Sequence, residues 1–272
     1  MAAHPADLHR IEPGAEVDLG AHDPADTSAA PGDKAATREA LDELTHRLAD
    51  LQARLWAEAE RRVLVVLQGM DTSGKGGTVK HVFGAVNPAG LRVVSFKAPS
   101  ASELERDYLW RVHANVPAAG EIGVFDRSHY EDVLAVRVQR LVSEERWRRR
   151  YEHIKAFEHL LADEGTAVVK VLLHLSADEQ KARLQARLDD PTKHWKFRLG
   201  DLDSRERWDE YQIAFAETVE RTTAHQAPWH IVPANKKWYR NWAVASILVG
   251  VLERMDPQWP EPPDEIDGIS VT

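Results

Sequence analysis

Three features of the sequence predict an α/β fold, a parallel sheet covered on both faces by helices in three layers. Apolar runs of strand length alternate with amphipathic stretches of helix length between residues 34 and 254. The runs, 63–67 above all, are continuously apolar, as strands buried on both faces are. After the first run comes a glycine-rich turn, Gly69-Met70-Asp71-Thr72-Ser73-Gly74-Lys75, and then a helical pattern. That order places the turn at the C-terminal end of a strand, where open parallel sheets gather their ligands.

Along the chain, residues 1–38 are rich in Ala, Asp, Pro and Gly without periodicity, and read as an acidic tail or a surface-wrapping arm. Leu41, Leu44, Leu48, Leu51 and Leu55 recur at helical spacing within 34–61, predicting a long amphipathic helix. This helix packs either on its own domain or on a second subunit. After the strand at 63–67 and its loop, a helix runs to about residue 86 and a second strand covers 91–97. A helix over 103–115 precedes a third strand, Ile122–Asp126, and helices over 130–141 and 144–163 follow. A fourth strand over 167–175, a helix over 177–188, a polar segment, a helix over 205–224, a strand at Trp229–Pro233 and a helix over 238–254 complete the domain. The domain is thus 39–255, followed by a second acidic tail, 256–272.

Composition narrows the class. Among 272 residues, 43% are hydrophobic, enough for one sizeable domain. The absence of cysteine excludes disulfides and cysteine–zinc sites and suits a reducing cytoplasm. No apolar run approaches membrane-spanning length and the N-terminus lacks a signal pattern, so a soluble cytoplasmic protein is expected, with no membrane partner. The net charge of −9 sits at the ends. Residues 1–33 carry seven acidic residues against one Arg, and 256–272 carry five with no Lys or Arg, so the segment between is net +2. Its basic clusters at 146–150, 193–198 and 236–240 allow a local basic channel, while nothing suggests nucleic-acid binding by the whole surface. The 13 histidines show no paired metal spacing.

The turn carries the first chemistry. Gly69 and Gly74 let successive N–H groups, with those of Ser73, Gly76, Gly77 and Thr78, converge on phosphate oxygens, while Lys75 adds a mobile charge at a helix N-terminus. In an ordinary nucleotide triphosphatase, Ser or Thr follows the lysine and ligates Mg²⁺. Here Gly76 and Gly77 follow, and the first hydroxyl is Thr78. Asp71, inside the loop, would repel a bare phosphate and makes sense facing a metal or a second phosphorylated substrate. Asp126, ending the third strand, is the expected metal-positioning carboxylate, and Arg127 can clamp a phosphate bidentately or form a surface ion pair. Glu131 and Asp132 open a helix, where acidic residues are favoured electrostatically in any case. Five Lys or Arg residues between 183 and 198 mark a lid, about 187–204, in which Trp195 and Phe197 are expected to pack on the core. The run 146–150 reads as a solvated helix face.

Four motifs, 69–78, 125–132 (Phe-Asp-Arg-Ser-His-Tyr-Glu-Asp), 190–197 (Asp-Pro-Thr-Lys-His-Trp-Lys-Phe) and 233–242, together closely resemble the family-2 polyphosphate kinases over about residues 39–255. The double glycine after Lys75 is usual in that family. The resemblance implies a thymidylate-kinase-like P-loop fold and reversible, Mg²⁺-dependent phosphoryl transfer between inorganic polyphosphate and purine nucleotides, with Mn²⁺ as a substitute metal. It implies polyphosphate held by the loop and Lys75, with Arg187 and Lys193 reaching down from the lid. By the same resemblance Asp71 and Asp126 orient the metal and the acceptor phosphate, Arg127 bridges the reacting groups, and Tyr130 and Glu131 serve the nucleotide. Members acting mainly on diphosphates usually have Asn at the position of Glu131, so the Glu resembles the subgroup that also uses AMP. Homo-oligomers, dimers or tetramers, are common in the family. Two rivals remain: an ATP-dependent nucleoside monophosphate kinase, which normally has Ser or Thr after the lysine, and a non-catalytic guanine-nucleotide switch. Against the switch, Trp238 stands where the Asp of an N-K-x-D element belongs.

Overall fold

The computed structural model describes residues 4–263. In chain order the elements are β1 (Arg10–Ile11), α1 (Lys34–Glu58), β2 (Arg62–Gln68), α2 (Lys75–Val82), β3 (Leu91–Ser95), α3 (Ala101–Leu104), α4 (Trp110–His113), β4 (Ile122–Asp126), α5 (Ala135–Val138) and α6 (Glu144–Asp163). They continue with β5 (Thr166–His174), α7 (Ala177–Leu188), α8 (Gly200–Glu206), α9 (Trp208–Thr222), β6 (Trp229–Pro233) and α10 (Lys237–Met255). One sheet runs β1-β6-β5-β2-β4-β3, parallel throughout except for β1, which pairs antiparallel with β6.

β2 and β5 lie at the centre and are buried along almost their whole length, as parallel strands covered on both faces are. Successive side chains of β2 alternate between two cores. Leu64 and Val66 meet Tyr151, Ile154 and Phe215 from α6 and α9 on one face. Val63, Val65 and Leu67 meet Leu48, Leu51, Leu55, Val244 and Leu248 from α1 and α10 on the other. The leucine stripe of α1 is therefore spent inside its own domain. Asp33 starts α1 by accepting from the N–H groups of Ala35 and Ala36, both at 2.9 Å, so the boundary expected at residue 38 falls inside the helix.

Residues 4–33 form an arm rather than a tail. Ala6 packs so closely on α10 that a Cβ at Gly250 would lie 2.4 Å from its nitrogen. β1 covers the free edge of β6, Leu19 enters the core, and Asn235 N–H donates to Pro24 O at 3.0 Å. A two-residue strand leaves no periodicity to read. Three expected helices are also broken. Within 103–115, Asp107 accepts from the N–H groups of Leu109 and Trp110 at 2.9 and 3.1 Å and so restarts the helix. Within 130–141 the chain makes a 3₁₀ turn, His129–Asp132, and the short α5. Within 205–224, Arg207 leaves the helical region and donates to Val138 O at 2.7 Å, separating α8 from α9. The strands at Ile122–Asp126 and Trp229–Pro233 lie where expected. The acidic segment 256–272 extends beyond the described residues at 264. Among the described residues no helix is long and apolar enough to cross a membrane.

A buried histidine lies in the seam between arm and sheet. His230 on β6 is fully buried; its Nδ1 donates to Leu8 O at 2.8 Å and its Nε2 has no partner. Burial pushes its pKa down to about 4. Because the unfolded imidazole titrates near 6.5, its neutral burial supports the fold fully above that pH. The support, about 3 kcal/mol by the size of the shift, is lost as pH falls from about 6.5 to about 4. Thermal unfolding followed across that window should show a steeper loss in the wild-type protein than in His230→Gln; parallel curves would contradict this role.

Candidate active site

At the end of β2 the chain turns through Gly69 at φ +144°, where a Cβ would sit 2.7 Å from Leu173 O, and leaves through Gly74 at φ +106°. The space a side chain would need at Gly74 is filled by the Arg240 guanidinium. Both positions therefore require glycine. Lys75 opens α2, and its Nζ turns back to donate to Gly69 O at 2.8 Å. Burial pushes this ammonium down, helped by Arg127, while Asp71, Asp126 and Glu131 pull it up. Among the described residues, the first backbone donor of α2 to find an acceptor is Thr78, bonded to Gly74 O at 2.8 Å. The N–H groups before it are left for a ligand, as at any helix start. The buried hydroxyls of Thr72, Ser73 and Thr78 have no partner either, and nothing lies within 4 Å of where a Cβ would stand at Gly76.

Facing the loop, β4 delivers Asp126 and Arg127. Parallel pairing sets Asp126 beside Leu67, so both strands end at the same level. Arg127 takes φ +64° and donates to Asp71 at 2.5 Å and to Glu131 at 3.4 Å. Glu131, then burial opposing it, and then Asp71 and Asp126 leave the guanidinium more firmly protonated than usual. The Gln68 amide joins the cluster, its NH₂ 3.1 Å from Glu131 and its oxygen 3.1 Å from the Ser128 hydroxyl. Asp71, Arg127 and Glu131, with Gly69, Met70, Leu134, Tyr211, Phe215 and Ser204 of α8, line a narrow open cleft.

Asp71, Lys75, Asp126, Arg127 and Glu131, far apart in sequence, are thus brought together. Five residues sit otherwise than expected. Tyr130 belongs to the core, with no exposed surface, and cannot touch a nucleotide in the cleft. Its hydroxyl donates to Glu158 at 2.7 Å and accepts from Lys170 at 3.0 Å. Lys170 also bonds Glu158 at 2.6 Å, a buried pair that braces the turn carrying Arg127 and Glu131. In the lid, Arg187 donates to Asp201 at 3.2 Å and Lys193 pairs with Asp190 at 2.6 Å, so both find partners inside their own segment. Trp195, expected in the core, is 77% exposed with the Lys196 ammonium 4.9 Å from its ring centre. Arg150, expected on a solvated face, is buried against Asp132 at 2.7 Å.

Two arginines that the sequence offered only within basic runs hold the loop from behind. Arg183 donates to the carbonyls of Thr72 and Ser73 at 2.9 and 3.2 Å, and Arg240 donates to Ser73 O at 3.0 Å. Burial and Arg183 push Arg240 down to about 10. Cations are thus gathered against a loop of free donors, an arrangement suited to a polyanion. As a metal site the cleft offers oxygen only. Among the described residues no three His, Asp or Glu form a closed cage. Two carboxylates completed by waters and substrate phosphates are what Mg²⁺ requires, so the donor set fits it.

The family model for polyphosphate kinase 2 matches residues 32–260. The chain belongs to the polyphosphate kinase 2 family. A Meiothermus ruber protein named AMP/ADP-polyphosphate phosphotransferase is 54% identical over 93% of this chain and 95% of its own length. A Rhodopseudomonas palustris ADP-polyphosphate phosphotransferase is 39% identical over 93% and 91%. Among solved structures, polyphosphate kinase 2 from Arthrobacter aurescens superposes with a TM-score of 0.92 at 46% identity, covering 99% of this chain and 94% of that one. The phosphate-loop kinase fold expected from the motifs is the fold of this family.

In this chain, Lys75→Ala and Asp126→Asn should each lower turnover about 10²-fold or more, as loss of a preorganised charge contact does. Steady-state rates on polyphosphate and ADP check this, and near-normal rates in either variant would contradict the residue's role.

Proposed function

We propose that this protein transfers a phosphoryl group reversibly between inorganic polyphosphate and AMP or ADP, in line and without a covalent enzyme intermediate. The observation that carries the reading is the meeting, in one cleft, of the Lys75 loop with the Asp71–Arg127–Glu131 cluster. The first suits a phosphate chain, and the second offers a fixed guanidinium for an anionic acceptor with a carboxylate for its metal ion. Phosphoryl transfer needs positioning and charge neutralisation more than a strong base, and no nucleophilic side chain is called for.

In this reading the loop N–H groups and Lys75 hold the polyphosphate end. Arg127, fixed by Asp71 and Glu131, sits between donor and acceptor and stabilises charge on the transferring group. Tyr211, Phe215 and Leu134 give the acceptor nucleotide an apolar wall. Asp71 and Asp126 would hold Mg²⁺, or Mn²⁺ of the same charge and similar size; bound there, the metal would neutralise charge on the phosphate oxygens. Closing the lid brings Arg187 and Lys193 from Asp201 and Asp190 to the phosphates and excludes water. Glu131 at the acceptor end extends the acceptor range to AMP. A cytoplasmic homo-oligomer, dimer or tetramer, belongs to the same proposal.

Donor choice tests the reading. With AMP and ADP supplied separately, polyphosphate should support formation of ADP and ATP, and ATP should not replace polyphosphate as donor to AMP. Transfer to AMP from ATP alone would favour the ATP-dependent monophosphate kinase instead.

A further inference from the structure

Three consecutive carbonyls of the phosphate loop are each bound by a side chain from another element. Gln180 on α7 donates Nε2 to Asp71 O at 3.3 Å. One turn later Arg183 takes Thr72 O and Ser73 O, and Arg240 takes Ser73 O again. In a trans peptide each carbonyl lies antiparallel to the next N–H. Holding the carbonyls of Asp71 and Ser73 on one side therefore turns the N–H groups of Thr72 and Gly74 to the other.

Gln180 does more than bind the loop. Its Oε1 accepts from Arg205 of α8 at 3.1 Å, and Arg205 also donates to Ala177 O at 2.6 Å. α7 leads into the lid and α8 is the limb by which the chain returns from it. A single amide with no exposed surface thus touches the phosphate loop with its donor end and the returning limb with its acceptor end. Gln and Asn are the side chains that carry both functions in one planar amide, and Asn is one methylene shorter.

We propose that Gln180 is a positioning residue that fixes the Asp71–Thr72 peptide in its phosphate-binding orientation and, through Arg205, makes that orientation depend on the lid. The proposal rests on the phosphotransfer reading above. Gln180→Glu separates the two contacts: the carboxylate still accepts from Arg205 but repels Asp71 O. Gln180→Met removes both.

The experiment is steady-state kinetics on polyphosphate and ADP for the wild-type protein, both Gln180 variants, Arg205→Met and the double variant Gln180→Met with Arg205→Met, with thermal midpoints measured in parallel. Gln180→Glu should lower kcat about 10-fold or more while the KM for ADP and the thermal midpoint stay near wild type. In the double variant the loss should be no larger than in Gln180→Met alone, because both changes cut one connection. Wild-type kcat in Gln180→Glu, a loss explained by a lowered thermal midpoint, or losses that multiply in the double variant would each overturn the proposal. An inactive wild-type protein would instead contradict phosphotransfer itself, so the two failures are distinguishable.

Discussion

A loop that binds anions through its backbone must keep several N–H groups free, and a buried donor without a partner costs about 1–3 kcal/mol. The architecture around residues 69–78 serves that constraint. Strands β2 and β5, apolar and central, fix where the loop begins. Leu173 O closes the space at Gly69 and Arg240 fills it at Gly74, so the turn has one available path. Arg183 and Arg240 occupy the carbonyls, and Lys75 closes the loop on Gly69 O. The donors left over are those that a phosphate chain satisfies.

The same constraint governs the charges. A protein of net −9 gathers Lys75, Arg183 and Arg240 against one loop, with Arg127 bonded to Asp71 of the same loop. Burial lowers the proton affinity of Lys75 and Arg240, which is the cost of holding cations out of water. Asp71, Asp126 and Glu131 offset part of it by facing Lys75 and Arg127. A bound polyanion offsets more, so binding and electrostatic relief coincide. In the acidic arm, Asp7 pairs with Arg254 of α10.

Much of this was legible from short-range pattern. The strand at Ile122–Asp126, the helix α6 and the loop with Lys75 follow from apolar runs and from residues adjacent in sequence. Asp71, Asp126 and Arg127 were legible because strand ends in a parallel sheet converge by topology. What escaped depends on partners distant in sequence. Tyr130 lies between Arg127 and Glu131, and only its contacts with Glu158 and Lys170 reveal it as core. Arg183 and Arg240 looked like members of basic runs, and Gln180 carried no pattern at all, because their role is set by carbonyls over 100 residues away. Likewise β1 is too short to show a period and is defined by its pairing with β6.

Whether the free N–H groups of this loop receive the phosphate chain can be read by amide-resolved hydrogen exchange on the full-length protein with and without polyphosphate, in the absence of nucleotide. New protection is expected at Gly74, Lys75, Gly76 and Gly77, with little change at Thr78, whose N–H is already bonded to Gly74 O. Unchanged exchange at those four amides under saturating polyphosphate would contradict it.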